Sequence, residues 1–389
     1  MTNARLLLAC TILALPVTAR AQSVTNILTF LLQNQSVQTG SPERDRAATQ
    51  ATADTISRAL LANLATLPVP NSSGAFSYRL NPELGTVERT TQTFGPFFVE
   101  RAQTAGRGQA SFGITFEHFR FTSLDGRNLR DGTFVTTANQ FADERSPFEV
   151  DRLTLNVQTS VATVYGNVGI TNRFEIGAAA PFVQLQLDGS RVDTYRGRDF
   201  TQASASAHSV GLADVLVRGK YMLYSGDGDA AAAAVDVRLP TGHRDDLLGA
   251  GTTSVRLSGI GSIDRGPVAA HINAGVTLGG LARELSYNAA VEVSASPRTT
   301  VIGELLGRTI DSPGHIVQVS ATNPAIAGVQ TLRLAADTSM LNIMTLVPGV
   351  KWNVSATWVL AANVSIPLTT GGLTAPFTPF VGLDYSLGH

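Results

Sequence analysis

One cysteine, Cys10, occurs in 389 residues. It lies in the first segment of the chain, which reads as a cleaved leader. The mature chain then has no thiol at all. This excludes disulfides, zinc–thiolate sites and a cysteine nucleophile. It also removes any risk of mispairing in an oxidising compartment. Charge is scarce as well. Only 15% of residues are Asp, Glu, Lys or Arg, against about 25% in average soluble proteins. The net charge is −1, and no strongly basic stretch points to nucleic acid. Apolar residues make up an ordinary 43%. Low charge without excess hydrophobicity suits neither a soluble protein nor a helical membrane protein. It suits strands that set every second residue against lipid.

The leader has a positive start at Arg5, an apolar core from Leu6 to Val17 and a small-x-small site at Ala19-Arg20-Ala21. The core is shorter than the roughly 20 residues of a spanning helix, so residues 1–21 read as a secretory signal peptide. Leu7-Leu8-Ala9-Cys10 resembles a lipoprotein box, but cleavage there would leave most of the apolar core on the mature protein.

The chain divides near residue 108. Val24 to Leu32 is a short apolar stretch. Ser41-Pro42-Glu43 has the form of a helix start, and Ile56, Leu60, Leu61 and Leu64 follow at helical spacing before Pro68. Phe94-Gly95-Pro96-Phe97-Phe98 is an aromatic knot. Residues 22–108 are read as a partly helical periplasmic cap or plug. The alternative is extra strands around Phe76–Leu80 and Thr86–Thr93.

From residue 109 the period becomes two. Val381, Leu383, Tyr385 and Leu387 form one apolar row, and Leu153, Leu155 and Val157 another. A third is Val268, Ala270, Ile272, Ala274, Val276 and Leu278, and a fourth is Leu285, Tyr287, Ala289, Val291 and Val293. Many runs reach ten residues or more, against about five or six in ordinary strands. Ten to twelve residues, tilted, cross an outer-membrane apolar band of about 25 Å. Short turns near 167–172, 225–228, 264–266, 296–298 and 353–355 alternate with longer connections, notably 122–150, 188–208, 241–252 and 311–339. This predicts an all-β fold in 109–389. It is a transmembrane antiparallel barrel of about 12 strands, with 14 as the alternative, and its apolar rows face lipid. A lipocalin-like barrel is the soluble alternative.

Several phrases resemble a known family. They are Tyr165 to Gly177 followed by Pro181-Phe182, Gly211-Leu212-Ala213-Asp214-Val215, Arg218-Gly219-Lys220-Tyr221 and Arg238-Leu239-Pro240-Thr241-Gly242. They are similar to outer-membrane proteins assigned to the phenol-degradation meta pathway, which look related to long-chain fatty-acid transporters. The resemblance covers roughly 151–389. It implies passive uptake of small organic, aromatic or amphiphilic anionic, molecules across the bacterial outer membrane. The last strand also resembles an outer-membrane assembly signal in Gly382, Tyr385 and Leu387, without the usual terminal aromatic. The expected partners are outer-membrane lipid and lipopolysaccharide, the barrel-insertion machinery and a small solute.

With apolar rows outward, the lumen receives Glu175, Asp214, Arg218, Lys220, Asp236, Arg238, Arg256, His271, Asn273, Glu292, Glu304, Arg308, Lys351 and Asp384. Two readings follow. The charges pair across strands, or Arg218, Lys220, Arg238 and Arg256 form a basic ladder that attracts anions. His271 is expected to bond neighbours such as Asn273. No Gly-x-Ser-x-Gly elbow and no His-x-Ser pair on one strand face is present. A non-catalytic channel without metal or cofactor is therefore expected. A structural or receptor barrel binding partners through long outer loops is the alternative.

Overall fold

The computed structural model describes residues 23–33, 37, 40–66, 69–70, 78–81, 86–89, 91–311, 315–355 and 357–387. Residues 1–21, expected to be a leader, Cys10 among them, and Pro68 lie outside these residues. Twelve strands close a barrel: β1 (Ala110–Phe121), β2 (Glu149–Gly169), β3 (Phe174–Tyr195), β4 (Val215–Ser225), β5 (Asp229–Leu239), β6 (Ser254–Arg265), β7 (Val268–Gly279), β8 (Glu284–Ser296), β9 (Thr299–Ile310), β10 (Leu341–Ser355), β11 (Trp358–Pro367) and β12 (Thr378–Leu387). Each pairs antiparallel with its sequence neighbours, and β12 closes on β1 with Leu383 opposite Ile114. The count of 12 agrees with the period-two reading. Closure leaves no barrel edge unpaired, which is what a sheet in lipid requires. Tyr78–Asn81 and Thr86–Arg89 pair only with each other and add nothing to the barrel.

The outer surface carries the apolar rows of β7, β8 and β12. Ile272 is 66% exposed, Val291 51% and Val381 53%. Phe112, Tyr385 and Trp358 cluster on the outside near the short turns, with ring centroids 5.0 and 4.6 Å apart. Such an aromatic girdle marks a membrane interface. The chain is a membrane-spanning β-barrel. Heating should therefore change its mobility in detergent gels, because a closed ladder resists detergent until it is melted. Identical migration before and after boiling would contradict the barrel.

The row Leu153, Leu155 and Val157 corrects the simple rule. All three are fully buried and face inward, while Thr154, Asn156 and Gln158 face out. On three adjacent strands the apolar side switches at one register. Outward Phe116, Ala162 and Phe182 are mutual partners, and the next outward row is His118, Ser160 and Gln184. Beyond that line the inward residues Phe119, Val161, Val183, Leu185 and Leu187 are apolar. The wall has left the lipid there and packs on an internal core instead.

What fills that core is the N-terminal segment. α1 (Val24–Leu32) is capped by the Ser23 hydroxyl, which accepts from the Asn26 N–H at 3.2 Å. α2 (Pro42–Leu64) starts with proline in its first turn. Leu28, Leu31, Leu32, Ile56 and Leu60 are all fully buried. α1 packs on β3 and on Arg198–Leu212, and Arg191 donates to the Leu31 carbonyl at 2.9 Å. α2 packs on Ile316–Thr322 and Val329–Ala336. These contacts are at the long-loop end, which faces outward in barrels of this kind, not at the short-turn end.

Three of the four long connections carry strands of their own, and only 241–252 is a loop throughout. Residues 188–208 are the upper part of β3 and its return strand, joined by a two-residue turn in which Arg196 and Gly197 have φ of 50° and 73°. Phe134–Phe141 and Val329–Ala336 add to β2 above the barrel. Charged and polar outward residues there had disguised strands as loops.

Candidate functional site: the lumen

Residues 91–107 cross the lumen near the short turns as irregular backbone, called the strap below. A backbone without helix or ladder partners must find other acceptors and donors when buried. Here the lumen side chains supply them. Glu304 on β9 accepts the N–H groups of Phe97, Phe98 and Val99, the last two at 3.0 and 3.3 Å. Lys351 on β10 donates to the Phe94 and Pro96 carbonyls at 3.5 and 2.9 Å. Asn273 on β7 binds both sides of Glu100, accepting from its N–H at 2.7 Å and donating to its carbonyl at 2.9 Å. Ser262 on β6 accepts from Ala102 N–H at 2.9 Å. Lys220 on β4 donates to the Arg101 and Gln103 carbonyls, both at 3.0 Å. Glu175 on β3 accepts from Ala105 N–H at 2.8 Å. At the handover to β1, Gly169 lies so close to Gly106 that a Cβ there would overlap the Gly106 carbonyl oxygen.

The lumen charges are accordingly spent mostly on neighbours. Arg218 donates to Asp236 at 2.9 Å and also pairs with Glu100 of the strap. Asp236 is the ladder partner of both Arg218 and Arg256, and Arg256 Nε reaches it at 2.8 Å. Lys220 pairs with Glu175 at 2.7 Å. Lys351 stands 3.8 Å from Asp384, which also accepts from the Tyr165 hydroxyl. Arg308 is 3.6 Å from Glu284 and bonds the Thr66 carbonyl at 3.1 Å. Arg238 donates to the Ala65 carbonyl at 3.0 Å. Asp214 sits at the break before β4, where it accepts from Gly242 and Ala250 N–H at 3.0 and 2.8 Å and so pins the loop after β5. Arg218, Lys220 and Arg256 thus do not stand as an uncompensated ladder. Their countercharges come from adjacent strands and the strap, rather than from the opposite wall.

His271 is not bonded to Asn273. Its Nδ1 is 2.7 Å from the Ser262 hydroxyl and its Nε2 is 2.7 Å from Glu292. Ser262 and His271 face each other on paired strands. A search for both residues on one strand could not find this relay. Its serine oxygen is taken up by Ala102 N–H, so the relay serves as another strap anchor.

Between the strap and the end of α2 lies a cavity of about 240 Å³. Phe98, Phe119, Phe121, Leu216, Leu306 and Leu373 supply its apolar wall, and Arg238, Arg256 and Arg308 line it on β5, β6 and β9. Glu117 lines it from β1. Glu117 is absent from the lumen residues expected from the sequence, although the alternation of the outward Phe112, Ile114 and Phe116 places it inward.

No known family profile and no curated protein matches the chain. Among solved structures, it is similar to an outer-membrane channel from Pseudomonas putida F1, at 14% identity over 74% of this chain and 98% of that one, with a TM-score of 0.47. It is also similar to the KdgM porin in complex with disordered oligogalacturonate, at 7% identity over 71% and 99% of the two chains, with a TM-score of 0.37. A third is the CymD monoaromatic hydrocarbon channel, at 9% identity over 73% and 90%, with a TM-score of 0.28.

Proposed function

We propose that the chain is an outer-membrane channel for passive uptake of small organic solutes bearing a carboxylate on an aromatic or aliphatic body. In this reading residues 22–108 are its plug, and the state described is the closed one. The carrying observation is the cavity, in which an apolar wall and three arginines meet in the path a solute would take. An apolar wall with a few convergent polar groups is the usual form of a small-molecule site. The resemblance of residues 165–240 to the meta-pathway proteins agrees with it. The reading is non-catalytic, because the Ser262 hydroxyl of the Ser262–His271–Glu292 relay is buried, already accepts from Ala102 N–H and does not line the cavity. The insertion machinery and lipopolysaccharide are its proposed partners outside the lumen.

Reversal potentials in a salt gradient test the arginines. Anion preference is expected, weakened in an Arg238→Ala, Arg256→Ala double variant. Arg218 is a poorer target because the strap covers it. Cation preference in the unaltered protein would contradict the anionic substrate class.

A second reading, a receptor barrel, draws on the tall outer sheet of Ile316–Thr322, Val329–Ala336, Phe134–Phe141 and the upper parts of β2 and β3. Partner binding by that sheet without any solute flux would favour it.

A further inference from the structure

Glu117 is 97% shielded from solvent, since only 3% of its surface is exposed. It lines the cavity. Among the described residues it has no hydrogen bond and no ion pair. Every other carboxylate on the cavity wall is engaged: Glu100 and Asp236 with Arg218, and Glu284 with Arg308. Arg238 is the complementary case. It bonds a carbonyl oxygen but has no carboxylate within ion-pair distance among the described residues. The cavity therefore holds one acidic and one basic group without an oppositely charged partner among the described residues. In the ring of 12, β1 stands four strands from β5 in one direction and four from β9 in the other. Glu117 thus lies a third of the way round the barrel from β5 and from β9, and Phe119, Phe121 and Leu306 line the same cavity.

We infer that the cavity selects zwitterionic solutes: an ammonium group at Glu117, a carboxylate at Arg238 and Arg256, and an apolar body between them. A buried, partnerless carboxylate is costly to keep. An incoming ammonium relieves that cost, and a plain carboxylic acid cannot. This rests on the channel reading for the solute's route but on the cavity alone for its selectivity.

Three solutes of one shape separate the possibilities: 4-(aminomethyl)benzoate, 4-methylbenzoate and 4-methylbenzylamine. Calorimetric titration of the purified protein in detergent should show the zwitterion binding at least about tenfold tighter than either singly charged analogue, the scale of one charge-assisted hydrogen bond. Glu117→Gln should abolish the advantage over 4-methylbenzoate, and Glu117→Asp should keep part of it. Heat-shifted gel mobility verifies that each variant is folded. Equal or tighter binding of 4-methylbenzoate to the unaltered protein overturns the inference. So does an unchanged ratio in folded Glu117→Gln. Liposome swelling with the same solutes keeps the two claims apart. Selective binding without flux sinks the channel and leaves the site. Flux of all three at equal rates, with equal binding, leaves the channel and sinks the site.

Discussion

Val291→Arg should lower the stability of the folded barrel by roughly 2–4 kcal/mol, the cost of arginine on a lipid face near the midplane. Val291 sits in the middle of β8, with 51% of its surface exposed. Its neighbours along the outward face are Ala289 and Val293, and across the ladder Ala270 and Gly303. None can pair with a guanidinium, and there is no water at that depth to solvate it. Replacement of the inward Ser386, which is 3% exposed at the short-turn end of β12, should be milder, because it points away from the lipid. Denaturant titrations in detergent, followed by the gel shift on boiling, give both numbers. Equal tolerance of arginine at 291 and 386 would mean that the two faces are assigned wrongly.

Most of the barrel was legible because its physics is local. A strand in lipid needs an apolar residue at every second position, and β7, β8 and β12 state this without interruption. Turns need glycine, proline or short polar residues, so the short-turn end could be placed within a few residues. The upper parts of β2 and β3 were misread for a physical reason. Period two says that one face is dry but not which side of the wall it lies on. Leu153 and Leu155 are dry because α1 and α2 cover them, not because lipid does. The change of side between Val161 and Val164 on β2, and between Phe182 and Val183 on β3, was nevertheless present in the sequence. Two consecutive apolar positions of opposite parity are the mark of a strand leaving the membrane.

The lumen was half legible. That Glu175, Arg218, Lys220, Glu292, Glu304 and Lys351 point inward follows from the same alternation, as does the opposition of Arg218 and Asp236 on paired strands. What these groups bind was not. Glu175, Lys220, Glu304 and Lys351 bind backbone atoms of the strap, some 70 to 260 residues away in the chain, and an irregular segment has no periodicity to read. Phe94 to Phe98 drew attention as an aromatic knot. Its aromatic rings matter less than its N–H and carbonyl groups, although Phe97 and Phe98 do meet Phe380 edge-on at 5.8 and 5.4 Å. The Ser262–His271–Glu292 relay escaped for a related reason, since it joins three strands and no single one.

The plug proposal depends on the strap being a removable seal. Glu304→Ala strands the N–H groups of Phe97, Phe98 and Val99 together. At about 1–3 kcal/mol for each buried donor left unpaired, the closed state should lose enough to raise the open fraction by roughly tenfold or more. The barrel wall itself should be spared, because Glu304 contributes only its backbone to the β8–β9–β10 ladder. Cys10 is the one cysteine of the sequence, in the segment read as a leader, so a lock can be added cleanly. Ala102 N–H and the Ser262 hydroxyl are 2.9 Å apart, so the strap and β6 are neighbours there, and a disulfide between these positions is the lock to build. The decisive measurement is single-channel current across a planar bilayer for Glu304→Ala carrying Ala102→Cys and Ser262→Cys. The account predicts a closed channel when oxidised and frequent openings once a reductant is added. Openings of equal size and frequency in both states, with the disulfide confirmed by mass spectrometry, would show that the strap does not seal the lumen.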